Sequence, residues 1–106
     1  VANSEGRIDV NVINTPLEFS LNTAYPNPFN PSTTIRFDTP VVETRFITSL
    51  QIFDITGHLV ETLIDGTVEP GTHEIQWNAS SYSSGIYFVE LVSGEKRQVQ
   101  KLILLK

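Results

Sequence analysis

Apolar and polar residues alternate in short runs along most of the chain, and this period of two restricts the fold more than any other feature. Ile35 and Phe37, for example, are separated and flanked by Thr34, Arg36 and Asp38. Because successive side chains of a β-strand point to opposite faces, such runs predict strands with one buried face. Similar runs begin near residues 8, 17, 46, 73 and 87. No segment keeps a helical period for three turns, so the sequence predicts an all-β protein.

Four short segments carry the residues that tight turns require. Residues 54–57, Asp-Ile-Thr-Gly, suit a type I turn closed by a left-handed glycine. Asp65-Gly66 is a hairpin signal, Pro70-Gly71 fits the centre of a type II turn, and Ser93-Gly94 separates the last two predicted strands. Turns at this spacing are typical of sandwiches. We therefore expect an Ig-like antiparallel β-sandwich of seven to eight strands.

The chain of 106 residues has room for one domain. Residues 1–20 contain few apolar anchors, and we expect them to be a linker or the remnant of a preceding domain. Residues 21–106 are predicted to form the folded domain. The alternating faces predict a core that includes Ile35, Phe37, Leu50, Ile52, Trp77, Tyr87, Val89 and Leu91.

Composition and spacing argue against several kinds of chemistry. The chain has no cysteine and a net charge of -5, with no basic patch for nucleic acid, and its longest apolar run is too short to span a bilayer. His58 and His73, expected on the surface of strands, make a poor zinc site. Asp54 and Asp65 offer oxygen ligands, but the dense spacing of a calcium loop is missing. The Gly-x-Ser-x-Gly motif is absent around Ser83. We predict no enzyme activity, no cofactor and no metal site.

The most distinctive segment is residues 25–31, Tyr-Pro-Asn-Pro-Phe-Asn-Pro, which we call the motif segment. Its three prolines fix φ and favour extended geometry in the residues before them. The two asparagines can bond their side chains to nearby backbone amides and so turn the chain. Tyr25 and Phe29 are expected to dock this stiff segment onto the core. We predict a rigid lead-in to a strand that begins near Thr33.

The motif segment resembles the opening of the Bacteroidetes-type (type A) C-terminal sorting domain of type IX (Por) secretion, a family related to flagellar hook-capping Ig-like domains. Four further blocks resemble this family in the same order: residues 50–60, 71–78, 84–91 and 98–106. The resemblance covers residues 21–106. Two departures are visible: Asn78 stands where an Asp is common, and Gln98 and Gln100 stand where basic residues are usual.

The resemblance implies a non-catalytic signal that directs a larger exported protein through the periplasm and across the outer membrane to the cell surface or the medium. The implied partners are the outer-membrane translocon and the sorting peptidase of type IX secretion, and a lipopolysaccharide-linked cell surface. Cleavage in the family falls before the domain, here within residues 1–20. The candidates for contact with the translocon are Tyr25, Pro26, Asn27, Pro28, Phe29, Asn30, Pro31, Gly85, Tyr87, Lys101, Leu102, Leu104 and Lys106.

One mechanism of recognition follows from the strand pattern. If residues 99–106 form an edge strand, their unpaired amides can add to a partner sheet. A structure with this strand in the middle of a sheet would argue against it.

The alternative function is a non-catalytic carbohydrate-binding or structural Ig-like module of a secreted multidomain enzyme. A carbohydrate module needs exposed aromatic rings on a sheet face or loop edge. Trp77 and Tyr87 fall on apolar faces, where we expect core residues, whereas Tyr82 lies in a Ser-rich loop and is a candidate for exposure. Residues 78–80, Asn-Ala-Ser, also match the glycosylation acceptor pattern.

Overall fold

The fold is that of a computed structural model, which describes residues 19–39 and 46–106. The strand predicted near residue 8 and most of the predicted linker lie outside these residues. The described residues form seven strands: β1 (Ser20–Leu21), β2 (Ser32–Thr39), β3 (Phe46–Asp54), β4 (Leu59–Val68), β5 (Gly71–Asn78), β6 (Gly85–Ser93) and β7 (Lys96–Leu104).

The strands form two antiparallel sheets, as the alternation predicts. One sheet has the order β1-β2-β5 and the other has the order β4-β3-β6-β7. The strand β7 is therefore at an edge of the four-stranded sheet, with β6 as its single ladder partner among the described strands. The prediction of an all-β sandwich is confirmed.

The core lies between the two sheets and contains every residue predicted for it: Ile35, Phe37, Leu50, Ile52, Trp77, Tyr87, Val89 and Leu91. Ala24, Phe29, Leu102 and Leu104 extend this core toward the terminal strand. Each fully buried aliphatic or Phe side chain contributes about 1.5–3 kcal/mol relative to an exposed one. The chain contains no disulfide, so this packing is its main source of stability.

Two of the predicted turns are confirmed and one is wrong. The amide of Gly57 donates to the carbonyl of Asp54 over 3.0 Å, and Gly57 has a φ of 90°. Ser93 pairs with Lys96 across a two-residue hairpin in which Gly94 has a φ of 62°. Asp65-Gly66, in contrast, lies inside β4 and pairs with Ser49 and Thr48 of β3. The residues on both sides of Asp65-Gly66 pair with β3, so they cannot form a hairpin with each other.

Candidate recognition surface

The motif segment begins beside β2 rather than inside the core. The backbone of Tyr25 exchanges hydrogen bonds of 3.1 and 3.0 Å with Thr34, and the hydroxyl of Thr33 donates to the carbonyl of Pro26 over 2.7 Å. The side chain of Tyr25 is 80% exposed, so the prediction that it docks onto the core is wrong. Three prolines in seven residues interrupt strand alternation, which is why the spacing of Tyr25 and Phe29 does not put them on one face.

Phe29 attaches the other end of the motif segment to β7. Its amide donates to the carbonyl of Ile103, and its carbonyl accepts from the amide of Leu105, both over 2.9 Å. Phe29 forms a parallel bridge with Leu104, and its ring is 2% exposed with its centroid 5.5 Å from that of Trp77. Phe29 therefore docks onto the core as predicted, and it covers the outer edge of β7 with backbone.

Asn27 continues this cover with its side chain. Its Nδ2 donates to the carbonyl of Lys101 over 2.9 Å, and its Oδ1 accepts from the amide of Ile103 over 3.0 Å. The amide group thus bonds β7 as a neighbouring peptide group would. A side-chain amide can pair with the backbone groups of an edge strand in this way where neighbouring prolines have no N–H to donate.

Gln98 and Gln100, which we call the glutamine clasp, connect β7 to residues 19–24. The Gln98 Oε1 accepts from the amide of Leu21 over 2.6 Å, and its Nε2 donates to the carbonyl of Phe19 over 3.3 Å. The Gln100 Oε1 accepts from the amide of Ala24 over 2.6 Å, and its Nε2 donates to the carbonyl of Asn22 over 2.7 Å. These glutamines were noted in the sequence only as departures from a family pattern.

The last residue of the chain, Lys106, holds a loop. Its Nζ donates to the carbonyls of Ser80 and Tyr82 over 2.7 and 2.6 Å, and its backbone amide donates to Ser84 Oγ over 3.0 Å. Lysine has three donors and no acceptor, which suits it to two converging carbonyls. Lys106 is thus tied to the loop that precedes β6.

Beneath this loop, four aromatic rings form one cluster with Phe29 at its edge. The centroid of Trp77 lies 5.8 Å from that of Tyr82 and 5.6 Å from that of Tyr87. Glu61 accepts from Trp77 Nε1 over 3.0 Å and from the Tyr82 hydroxyl over 3.1 Å. Burial, and then the nearby Glu61, raises the pKa of Tyr82. Because Tyr82 packs against the core, these rings do not form the exposed platform that a carbohydrate module needs.

The residues singled out in the sequence lie together at one side of the sandwich. Gly85 and Tyr87 of β6 pair with Leu104 and Leu102 of β7, whose outer edge contacts the motif segment. Phe29, Tyr87, Leu102 and Leu104 are buried, so they support this surface from beneath. The exposed members are Tyr25, Pro26, Pro28, Asn30, Gly85, Lys101 and Lys106, while Asn27 and Pro31 are half-buried.

The histidines and aspartates considered as metal ligands serve local structure. His58 is exposed, but His73 is half-buried and stacks on Phe37 with ring centroids 5.0 Å apart, so its expected surface position was wrong. Asp54 Oδ1 accepts bonds from Thr56 and from the amide of His58, over 2.7 to 3.0 Å. These bonds, first that of the Thr56 hydroxyl, lower the pKa of Asp54. The described residues contain no group of three or more His, Cys, Asp or Glu placed to hold a metal.

Comparison with known proteins agrees with this architecture. The profile of the family described as "Secretion system C-terminal sorting domain" matches residues 23–105. The chain therefore belongs to this family. It is a C-terminal sorting domain of type IX secretion, and such a domain marks a protein for export to the cell surface or the medium.

A solved structure supports the same assignment. The chain is similar to part of PorZ, described as an essential bacterial surface component of the type-IX secretion system of human oral-microbiomic Porphyromonas gingivalis. The identity is 25%, the TM-score is 0.54, and the match covers 79% of this chain and 11% of PorZ. No curated protein matches the sequence. In the part of the chain that the structure describes, no helix is long and apolar enough to cross a membrane.

Proposed function

We propose that this domain directs a larger cargo protein across the outer membrane by presenting a composite surface to the type IX translocon. The surface consists of the motif segment and residues 99–106 of the terminal strand and its end. In this proposal residues 1–20 link cargo and domain and contain the bond cut by the sorting peptidase, and residues 21–106 are the signal. The cargo is then released or joined to anionic lipopolysaccharide at the cell surface.

The observation that supports a composite surface is the pair of backbone bonds between Phe29 and the end of β7. These bonds join two segments that lie more than seventy residues apart in the sequence. A partner that touches the exposed Pro28 or Asn30 is therefore next to the end of β7 as well. Loss of either segment alters the other, so the surface is read as one unit.

Charge and exposure favour contact through apolar and hydrogen-bonding groups. Tyr25, Pro26 and Pro28 expose apolar surface, and Asn30 adds an amide. An exposed Tyr supplies a large contact area with few torsions to order, which is why such residues often dominate interfaces. Lys101 is the exposed charged residue of this part of β7.

The test is an export assay in a bacterium that has type IX secretion. A fluorescent reporter with a periplasmic leader is fused to the whole 106-residue chain, and the matched control carries the leader and the reporter alone. The proposal predicts surface or medium fluorescence for the fusion and periplasmic fluorescence for the control. Periplasmic retention of a fusion shown to be folded by its melting transition would contradict it.

Retention of a folded fusion would give weight to the alternative of a carbohydrate-binding or structural Ig-like module. Glycan binding by the purified domain would then separate these two possibilities. We also propose that the domain has no enzyme activity, because it belongs to a family of sorting signals. The relation to flagellar hook-capping domains stays a prediction.

A further inference from the structure

The outer edge of β7 has two parts that differ in how their backbone groups are used. In an antiparallel ladder, the residues that bond one neighbour alternate with residues whose N–H and C=O point to the other side. The backbone N–H and C=O of Ile103 point outward, since they bond Asn27 and Phe29. By the same period, Arg97 and Val99 also point their backbone groups outward.

The outward groups of Arg97 and Val99 have no hydrogen-bond partner among residues 19–39 and 46–106. The glutamine clasp brings residues 19–24 close to this part of β7. This contact is made by the side chains of Gln98 and Gln100 and not by the outward backbone groups of β7. Val99 itself is 48% exposed. An open row of donors and acceptors on an edge strand is a template for another strand.

The outer face of the sheet provides a groove beside this open edge. Its apolar walls are formed by Phe53, Ile55, Phe88 and Val99. Arg97 and Glu90 also line the groove and form an ion pair, so the Arg97 charge is already partnered there. A strand added to β7 could place alternate side chains against this apolar wall.

We propose that the edge at Arg97–Val99 is the docking site for an extended segment of a partner protein, which adds to the four-stranded sheet as a further strand. The occupant is a strand with alternating apolar side chains, because backbone bonds give affinity and the groove selects the side chains that face it. This inference rests on the proposed function, since it names how the translocon would hold the domain.

The test is the substitution Val99→Pro in the full chain fused to the export reporter. Proline removes the outward N–H of Val99 and leaves the ladder bonds to β6, because the amide of residue 99 does not point toward β6. The matched variant Val99→Thr changes the side chain in the groove wall at the same position and keeps the amide. We expect Val99→Pro to lower export at least tenfold and Val99→Thr to lower it only about two- to threefold.

Export of Val99→Pro at the parent level would overturn the inference and leave the proposed function intact. Failure of the parent fusion itself would count against the proposed function instead. Melting of both variants within a few degrees of the parent establishes that an export defect is not a folding defect.

A second measurement holds even if Val99→Pro fails to fold. In the purified parent chain, amide hydrogen exchange followed by NMR should be fast at Arg97 and Val99 and slow at Ile103. Slow exchange at Val99 would overturn the inference, because the edge would already be occupied. Repeating the measurement at several concentrations would then show whether a second copy of the chain is the occupant.

Discussion

The outer edge of β7 is hydrogen-bonded near one end of the strand and open near the other. Toward its end, Phe29 and Asn27 bond Lys101, Ile103 and Leu105 and close the edge. Nearer its start, the clasp residues Gln98 and Gln100 reach residues 19–24 through side chains, and the outward backbone of Val99 has no partner in the described part of the chain. The closed end is bound to the core, and the open end keeps backbone groups available to another chain.

We infer that the closed end of β7 serves the stability of the fold and that the open end serves recognition. A buried aromatic ring contributes strongly to folding, because its removal leaves a cavity in the core. Exposed residues contribute little to folding and can be selected for binding. The contrast predicts a gradient of effects along the edge, from large losses of stability at Phe29 to none at Tyr25.

The largest expected effect is that of Phe29→Ala. Loss of this ring from beside Trp77 should lower the free energy of unfolding by about 3–5 kcal/mol. Val99→Ala, at the open end, should lower it by less than about 1 kcal/mol, because the side chain is half exposed. Urea unfolding of the two variants measures both values. Equal losses would mean that the two ends of β7 contribute alike to the free energy of unfolding and would contradict the contrast between them.

A smaller loss is expected for Asn27→Ala, which removes two bonds to β7 and leaves the amide of Ile103 unpaired. The cost of such an unsatisfied group is about 1–3 kcal/mol. The control is Asn30→Ala in the same segment, since Asn30 is exposed and should change stability by less than about 0.5 kcal/mol. If thermal or urea unfolding gives the two variants equal stability, the Asn27 side chain on β7 does not stabilise the fold.

Among Phe29, Asn27 and the glutamine clasp, the clasp should have the smallest effect on stability. Gln100→Ala removes bonds to the backbone of Ala24 and Asn22 and should cost about 1–2 kcal/mol. Gln76→Ala, on the exposed face of β5, serves as the control with an expected change within about 0.5 kcal/mol. Faster amide exchange at Ala24 in Gln100→Ala would locate the effect. Unchanged exchange there would show that the clasp does not hold residues 19–24.

Much of the sandwich could be predicted from local patterns. Alternation placed Ile35, Phe37, Trp77 and Tyr87 in the core, because the strand period dictates which side chains share a face. The turn signal at Asp65-Gly66 failed for a non-local reason. A long partner, β3, pairs with residues on both sides of it, and pairing over a whole strand outweighs a local turn preference.

The surface that we propose for recognition could be predicted only in part. Residue types and their order pointed to the motif segment and to the terminal strand, but nothing local showed that Asn27 contacts Ile103. The glutamine clasp was hidden for the same reason, since Gln98 shares a face with Leu102 yet bonds Leu21. Tyr25 was misplaced because a proline-rich segment has no regular period from which to assign its faces.

We propose that the translocon contacts the exposed part of the motif segment during export, and the substitution Tyr25→Ala removes an exposed side chain of that segment. Tyr25 is 80% exposed, and the control Ile47→Ala removes an apolar side chain that is 78% exposed on β3. Both variants should melt like the parent. We predict that Tyr25→Ala lowers export of the reporter at least fivefold and that Ile47→Ala leaves it unchanged. Parent-level export of a folded Tyr25→Ala fusion would contradict the claim.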